Sequence, residues 1–263
     1  MKKSVKIPLI VGAVLICIGL IIVIAVGLLI GWKFETSRWE SKVYESDNRV
    51  EITDIDLDFS AGSLTVQFYK GNTIKVEYPE NNQVTTTFGV TGSTLKIATV
   101  VHWRVQFLWF NNIPATTVYI PDGMLVGLKM KVNAGTVTVK TGSYSNVDLK
   151  MNAGTLIMDN VDCNGFNVDM NAGTMKLSRI QSATFAADLS AGTLNVTRLK
   201  CDDVHLDISA GTAKIGIEGK KSDYSIWTDV SAGSCNVKSQ NGATIKKLTV
   251  DVSAGTAKIT FDE

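Results

Sequence analysis

Only two histidines, four cysteines and four prolines occur in the 263 residues, and 26 basic side chains nearly cancel 25 acidic ones. Each shortage excludes something. A formal charge of +1 leaves no basic footprint for nucleic acid. His102 and His205 join no motif with a nucleophile, and no phosphate-cradling glycine loop, zinc spacing or Gly-x-Ser-x-Gly elbow occurs. No enzyme signature and no cofactor motif is therefore present, and none is expected.

Charge is missing altogether from residues 7–32, where Val, Ile, Leu and Gly dominate. At about 1.5 Å per residue this run makes a helix of roughly 39 Å, long enough to span a bilayer with some tilt. A cleavable leader has an apolar region of only about 7–15 residues, so an uncleaved anchor is expected. The expected organisation is a cytoplasmic tail (1–6), a transmembrane helix (7–32), a linker (33–47) and a β-domain (48–263). Lys2, Lys3 and Lys6 precede the helix while Lys33, Arg38 and Lys42 follow it. Charge thus leaves the orientation nearly tied. The short tail in front favours a cell-membrane protein with its C-terminal domain outside.

What is abundant is a repeat. A small polar residue, Ala-Gly, then Ser or Thr begins at Ser60, Asn133, Asn152, Asn171, Ser190, Ser209, Ser231 and Ser253. From Asn133 onward the spacing is 19 residues four times and then 22 twice. So short a repeat buries its apolar face only by stacking on its neighbours. Five, three and one residues before the small polar residue the chain is largely apolar, as at Phe166, Val168 and Met170. Four and six residues after it the alternation resumes, as at Met175 and Leu177. Period two means strands with one buried face. Glycine suits the corner between them because positive φ costs it nothing, and alanine is expected where converging sheets leave little room.

Nineteen residues at about 3.3 Å each give a contour of roughly 60 Å, one coil around a narrow core, with the next coil ~4.8 Å away. Propeller blades need about 40 residues, and hairpin sandwiches would not keep five equally spaced copies in register. The fold class expected is therefore all-β: a single-stranded right-handed parallel β-helix, or β-solenoid, preceded by one transmembrane helix. Residues 48–127 form irregular N-terminal coils and a cap, and 128–263 the regular coils. The longer repeats place their extra residues in corner loops near Gly219–Ser222 and Ser239–Gly242.

The Ala-Gly-Thr repeats, together with Val118-Tyr119-Ile120-Pro121, resemble the bacterial toast-rack (candidate adhesin) domains, a family of unknown function. The likeness covers approximately residues 48–263. It implies a coiled parallel β-domain, often membrane-tethered and near envelope-stress genes, with a proline-ended strand introducing the first regular coils. It implies no catalytic residues.

Three places deserve a functional reading beside a structural one. Asp169, Asp188, Asp207, Asp229 and Asp251 recur two residues before the corner. Stacked ~4.8 Å apart, they repel by nearly 1 kcal/mol per pair even in water, so they read either as a solvated face or as a calcium site. Trp103, Phe107, Trp109 and Phe110 crowd one segment, which either caps the open end or touches lipid headgroups or a partner. The last coil, ending soon after Ala257, is expected to offer a free edge for self-association. Cys17 falls in the membrane run, and Cys163 and Cys201 stand two coils apart. That is roughly 9.6 Å along the stack, beyond disulfide reach of about 7 Å.

The reading that follows is a membrane-anchored, non-enzymatic extracytoplasmic β-solenoid, acting as adhesin-like scaffold or as a sensing module with a protein or cell-envelope partner. The alternative is a polysaccharide-processing enzyme using outward carboxylates such as Asp188, Asp207 and Asp229.

Overall fold

A computed structural model describes Gly19 and residues 38–82, 84–102 and 113–262. The chain separates into Met1–Arg38 and Trp39–Glu263. In the first unit only Gly19, in a helical conformation, and Arg38 are described, so the expected membrane helix over 7–32 lies outside the described residues. Among the described residues no helix is long and apolar enough to cross a membrane.

The second unit is a stack of parallel coils in strict register. Asn167 pairs with Ala186 and Ala186 with His205, each partner 19 residues further along the chain. Each coil continues the hydrogen-bond ladder through its corner, where the Thr155, Thr174 and Thr193 amides donate to Gly135, Gly154 and Gly173 at 2.8–2.9 Å. The apolar columns fill the interior: Phe166, Phe185, Val204 and Leu248 are at most 1% exposed. Phe166 and Phe185 stack with ring centroids 5.5 Å apart.

The 19-residue coils have three inward faces instead of the two read from the sequence. Strands Thr174–Leu189 and Thr193–Ile208 run unbroken past the second corner. Between their two expected buried stretches lies a third, carrying Ile180 with Ser182 and Leu199 with Cys201, all buried. Two consecutive outward residues, such as Ala183-Thr184, mark the bend after it. Alternation is broken there, which is why a period-two reading passes over it.

Coil order is not chain order, and this corrects the expectation for both ends. Strand Lys246–Val252 of the Ser253 coil pairs with Thr193–Ile208 on one side and with Tyr224–Val230 on the other. The last coil is thus inserted between the Ser209 and Ser231 coils. It has no free edge, so self-association through it lacks its premise. The outermost coil is that of Ser231, whose Val230 is consequently 38% exposed although it stands at an apolar position. Its outer edge is partly closed by its own connecting loop. The Ile226 amide donates to Gln240 and the Gln240 amide to Ile226, both at 2.9 Å, and the Thr228 amide donates to Ser239 Oγ at 3.0 Å. These bonds occupy the Ile226 and Thr228 positions of that edge, where another strand would otherwise pair.

The other end mirrors this. Strand Asp54–Phe59 of the Ser60 coil pairs in parallel with Val126–Val132 and, on its far side, with Thr94–Val101. The proline-ended strand Thr116–Pro121 leads along the chain into Val126–Val132, and in the stack it lies outside Ser63–Tyr69. Beyond it the pairing turns antiparallel, through Val84–Thr91, Lys75–Glu80 and Glu40–Glu45. Tyr44 and Phe88 stack there at 4.1 Å, with Tyr78 5.0 Å from Phe88. These antiparallel strands are the outermost described at this end.

Neighbouring residues test the inward and outward assignment. Val168 is 4% exposed and Asn167 exposed. Val168→Asp buries a charge with no partner and is expected to cost several kcal/mol, about 3 or more. Asn167→Asp should stay within about 0.5 kcal/mol. Urea unfolding of the two variants compares them directly, and equal losses would contradict the assignment.

Candidate functional site

The small polar residue before each corner sits on the outside, two residues after the recurrent carboxylates. In the stack these carboxylates run Asp169, Asp188, Asp207, Asp251, Asp229, because the inserted coil places Asp251 between the other two. Towards the other end the column continues through Lys150 and Lys131 to Asp58. Lys150 Nζ lies 3.2 Å from Asp169 Oδ2 and Lys131 Nζ 3.3 Å from Asp58 Oδ2. Both pairs are half exposed, which limits each to at most about 1 kcal/mol. The column is therefore mixed, with two lysines interrupting it, and Asp207 and Asp229 are not neighbours. Among the described residues no group of three or more His, Cys, Asp or Glu side chains converges as a single metal ion would require.

Asparagines supply a second ladder at the corner itself. Asn171 Nδ2 donates to Asn152 Oδ1 at 2.8 Å, Asn152 to Asn133 at 2.7 Å, and Asn133 to Asp58 Oδ1 at 3.2 Å. The aromatic candidates Trp103, Phe107, Trp109 and Phe110 lie outside the described residues.

A concave feature appears instead at the second corner. A groove of about 450 Å³ crosses four coils there, with Tyr144, Cys163, Ser182 and Cys201 along its floor. Its rim includes Asp162, Asn164, Gln181, Lys200 and Asp202. In register Cys163 stands beside Ser182 and Ser182 beside Cys201, so the two thiols are separated by a whole coil and remain free. Burial pushes the Cys163 thiol up to about 12 and raises that of Cys201, which the adjacent Ser182 hydroxyl partly offsets. Neither thiol is poised as a nucleophile. Cys201 Sγ donates to the carbonyls of Asp203 at 3.2 Å and Ala183 at 3.3 Å. The Tyr144 hydroxyl is buried with no hydrogen-bond partner, and the buried Ser182 hydroxyl interacts with the Cys201 thiol.

Residues 52–263 match the Toastrack DUF4097 family. The chain belongs to that family. No relative is found among curated proteins. Among solved structures, a candidate adhesin from Bacteroides fragilis shares the fold at a TM-score of 0.52 and 15% identity, with 84% of this chain and 97% of that one covered. A candidate adhesin from Parabacteroides distasonis aligns at a TM-score of 0.44 and 11% identity over 85% of this chain and 98% of that one. A candidate cell adhesion protein from Clostridium sporogenes aligns at 0.42 and 12% over 86% and 100%.

Within this Toastrack stack the inserted carboxylate is disfavoured in its charged form. Desolvation holds Asp251 above its ordinary range, Asp207 and Asp229 add to this, and His205 works the other way. A carboxylate whose folded value is raised weakens the fold above that value, and the penalty is relieved as pH falls through it. Asp251→Asn is therefore expected to raise the melting temperature at pH 7. The gain should shrink as pH drops into the carboxylate range, where protonation removes the same penalty. Melting curves from pH 7 to 3 check this, and a variant less stable at pH 7 would refute it.

The groove residues were missed from the sequence because Tyr144, Cys163, Ser182 and Cys201 do not share a residue type. Their common position, eleven residues after the small polar residue, was the one available signal.

Proposed function

We propose that this Toastrack chain is a membrane-anchored, extracytoplasmic β-solenoid that binds without catalysis, serving as an adhesin-like scaffold or as a sensor of envelope state. The observation that carries the reading is a long in-register stack, together with an uncharged run at 7–32 in the sequence long enough to span a bilayer. Such a stack presents rows of identical positions on a rigid surface, which suits repeated weak contacts with an envelope partner. A right-handed wind is the sense favoured for parallel crossovers. The description of the Bacteroides fragilis relative as a candidate adhesin supports the same class of activity.

Protease added to intact protoplasts tests the placement. Cleavage of the domain without detergent is expected. A domain cut only after detergent opens the cells would overturn the outward topology.

A further inference from the structure

The charges of this chain nearly cancel, 26 basic against 25 acidic, yet the stack sorts them by face. On the strand that follows the Ala-Gly corner, Lys176, Asn195, Lys214 and Lys258 stand in consecutive register. All four are exposed. Arg179 and Arg198, also exposed and in register with each other, extend the same strip towards the second corner. On the strand before the Ala-Gly corner, the same coils carry the carboxylates Asp169, Asp188, Asp207 and Asp251. A basic strip and an acidic strip thus run side by side along the stack, divided by the corner.

Neither strip is neutralised within the chain. Among the described residues the ion pairs of these coils join Lys150 to Asp169, Arg198 to Glu218 and Lys246 to Asp202. Lys176, Lys214, Lys258, Asp188, Asp207 and Asp251 belong to none of them. Lys214 and Lys258 are immediate ladder neighbours, as are Asp207 and Asp251. Like charges therefore repel at a spacing of ~4.8 Å in both strips. Solvation alone would be served better by alternating signs, as Lys150 and Asp169 alternate one step away.

Charge complementarity selects the occupant. A polyanion or an anionic surface would answer the basic strip and be repelled by the acidic one. A second copy of this chain answers both, because each copy carries the two strips on the same coils. With stack axes side by side in the same sense, Lys176 of one copy comes level with Asp169 of the next, Lys214 with Asp207, and Lys258 with Asp251. Lys131 and Lys150, which interrupt the acidic column, come level with Thr138 and Ile157 and meet no cation. Thr174, Thr193, Thr212 and Thr256 flank the lysines on the corner side, and side chains this short let two flat ladders approach. The contact uses the faces of the coils and requires no free sheet edge.

We infer that copies of this chain associate laterally, the basic strip of one against the acidic strip of the next. The contact is heterologous: a pair leaves one basic and one acidic strip free, so further copies can add. It goes beyond the adhesin-like reading and is independent of the membrane anchor. A failed protoplast experiment would leave the lateral contact intact, and a missing contact would leave the topology intact.

Isotope-labelled and unlabelled copies of the full chain, mixed in liposomes of neutral lipid, are treated with a carbodiimide, which couples lysine to carboxylate without a spacer. Mass spectrometry should find mixed-isotope products that join Lys176, Lys214 or Lys258 to the carboxylate column. These should fall at least about tenfold at about 1 M salt, where the Debye length is about 3 Å. Lys176→Glu with Lys214→Glu and Lys258→Glu should lose them, as should Asp188→Lys with Asp207→Lys and Asp229→Lys. Mixing the two triple variants, whose strips are then all acidic in one and all basic in the other, should restore coupling between copies. Absence of mixed-isotope products in the parent chain overturns the proposal whatever the variants do. So does coupling by either variant alone at the parent's level, or a mixture that stays uncoupled while both variants melt cooperatively. A parent chain that stays uncoupled yet binds polyphosphate or anionic vesicles would make a polyanion the occupant and overturn it as well.

Discussion

Replacing Gly154 by alanine is expected to cost on the order of 3–5 kcal/mol, although it adds a single methyl group at the protein surface. A Cβ at Gly154 would stand 2.3 Å from the Gly135 carbonyl oxygen and 2.9 Å from the Gly135 nitrogen. Neither atom can step aside as a side chain would, because both are backbone. That same oxygen accepts the Thr155 amide at 2.8 Å, so moving it breaks the ladder where the two coils join. The φ of +108° adds the strain of a conformation alanine rarely adopts, about 1–3 kcal/mol. Ala153, the preceding residue, is exposed, so alanine there is not filling a tight convergence of sheets. Ala153→Ser should therefore change stability by less than about 0.5 kcal/mol. Chemical unfolding of both variants gives the comparison, and a Gly154→Ala protein as stable as the parent would show that the coils are not stacked glycine on glycine.

Deleting residues 246–263 is expected to release two coils where the sequence suggests one. Strand Tyr224–Val230 finds its sheet partner in Lys246–Val252, and Ser234–Cys235 finds its partner in Thr256–Asp262. Without the inserted coil, the Ser231 coil loses its ladder and the Ser209 coil becomes the end of the stack. Leu248, Val250, Val252 and Ile259 are each at most 2% exposed, and their burial is worth about 2 kcal/mol apiece, on the order of 8 kcal/mol together. That approaches the whole stability of a typical domain. Amide exchange should show the hydrogens of Ser231, Ala232 and Ser234, which donate to Val252, Ser253 and Gly255 in the full chain, unprotected in the shortened one. Protection as strong as in the full chain would mean that the Ser231 coil docks directly on the Ser209 coil.

These two results depend on different kinds of information. The glycine column is legible in the repeats, since a residue recurring every 19 positions must line up if the coils stack. Its physical reason was only half visible. Positive φ explains Gly135, Gly154, Gly173 and Gly192. The clash with the adjacent coil's carbonyl explains Gly211, Gly233 and Gly255 as well, where a Cβ would come within 2.3–2.8 Å of a neighbouring glycine oxygen. No one-dimensional pattern reveals that contact. The third inward face was invisible for a related reason, because two outward residues in a row interrupt the alternation on either side of Ile180 and Ser182.

The Asp column divides in the same way. Its membership follows from spacing, whereas its order follows from which coil lies next to which. Asp251 carries the raised value chiefly through desolvation in its inserted place, to which its neighbours Asp207 and Asp229 add, although it is the last of the five along the chain. The groove was the least legible element, since chemically dissimilar side chains meet there through register alone.

Sequence by itself determined that this protein is a stack of short parallel coils, which residues of the two strands flanking each Ala-Gly corner face its core, and that a long uncharged run precedes it. Period and polarity are local properties that a chain carries whether folded or not. Tertiary structure alone decided the order of the coils at both ends, the burden on Asp251 and the groove over Tyr144 and Ser182. Successive repeats are nearly interchangeable as ladder partners, so a strand's neighbour is selected by how the whole stack closes its edges.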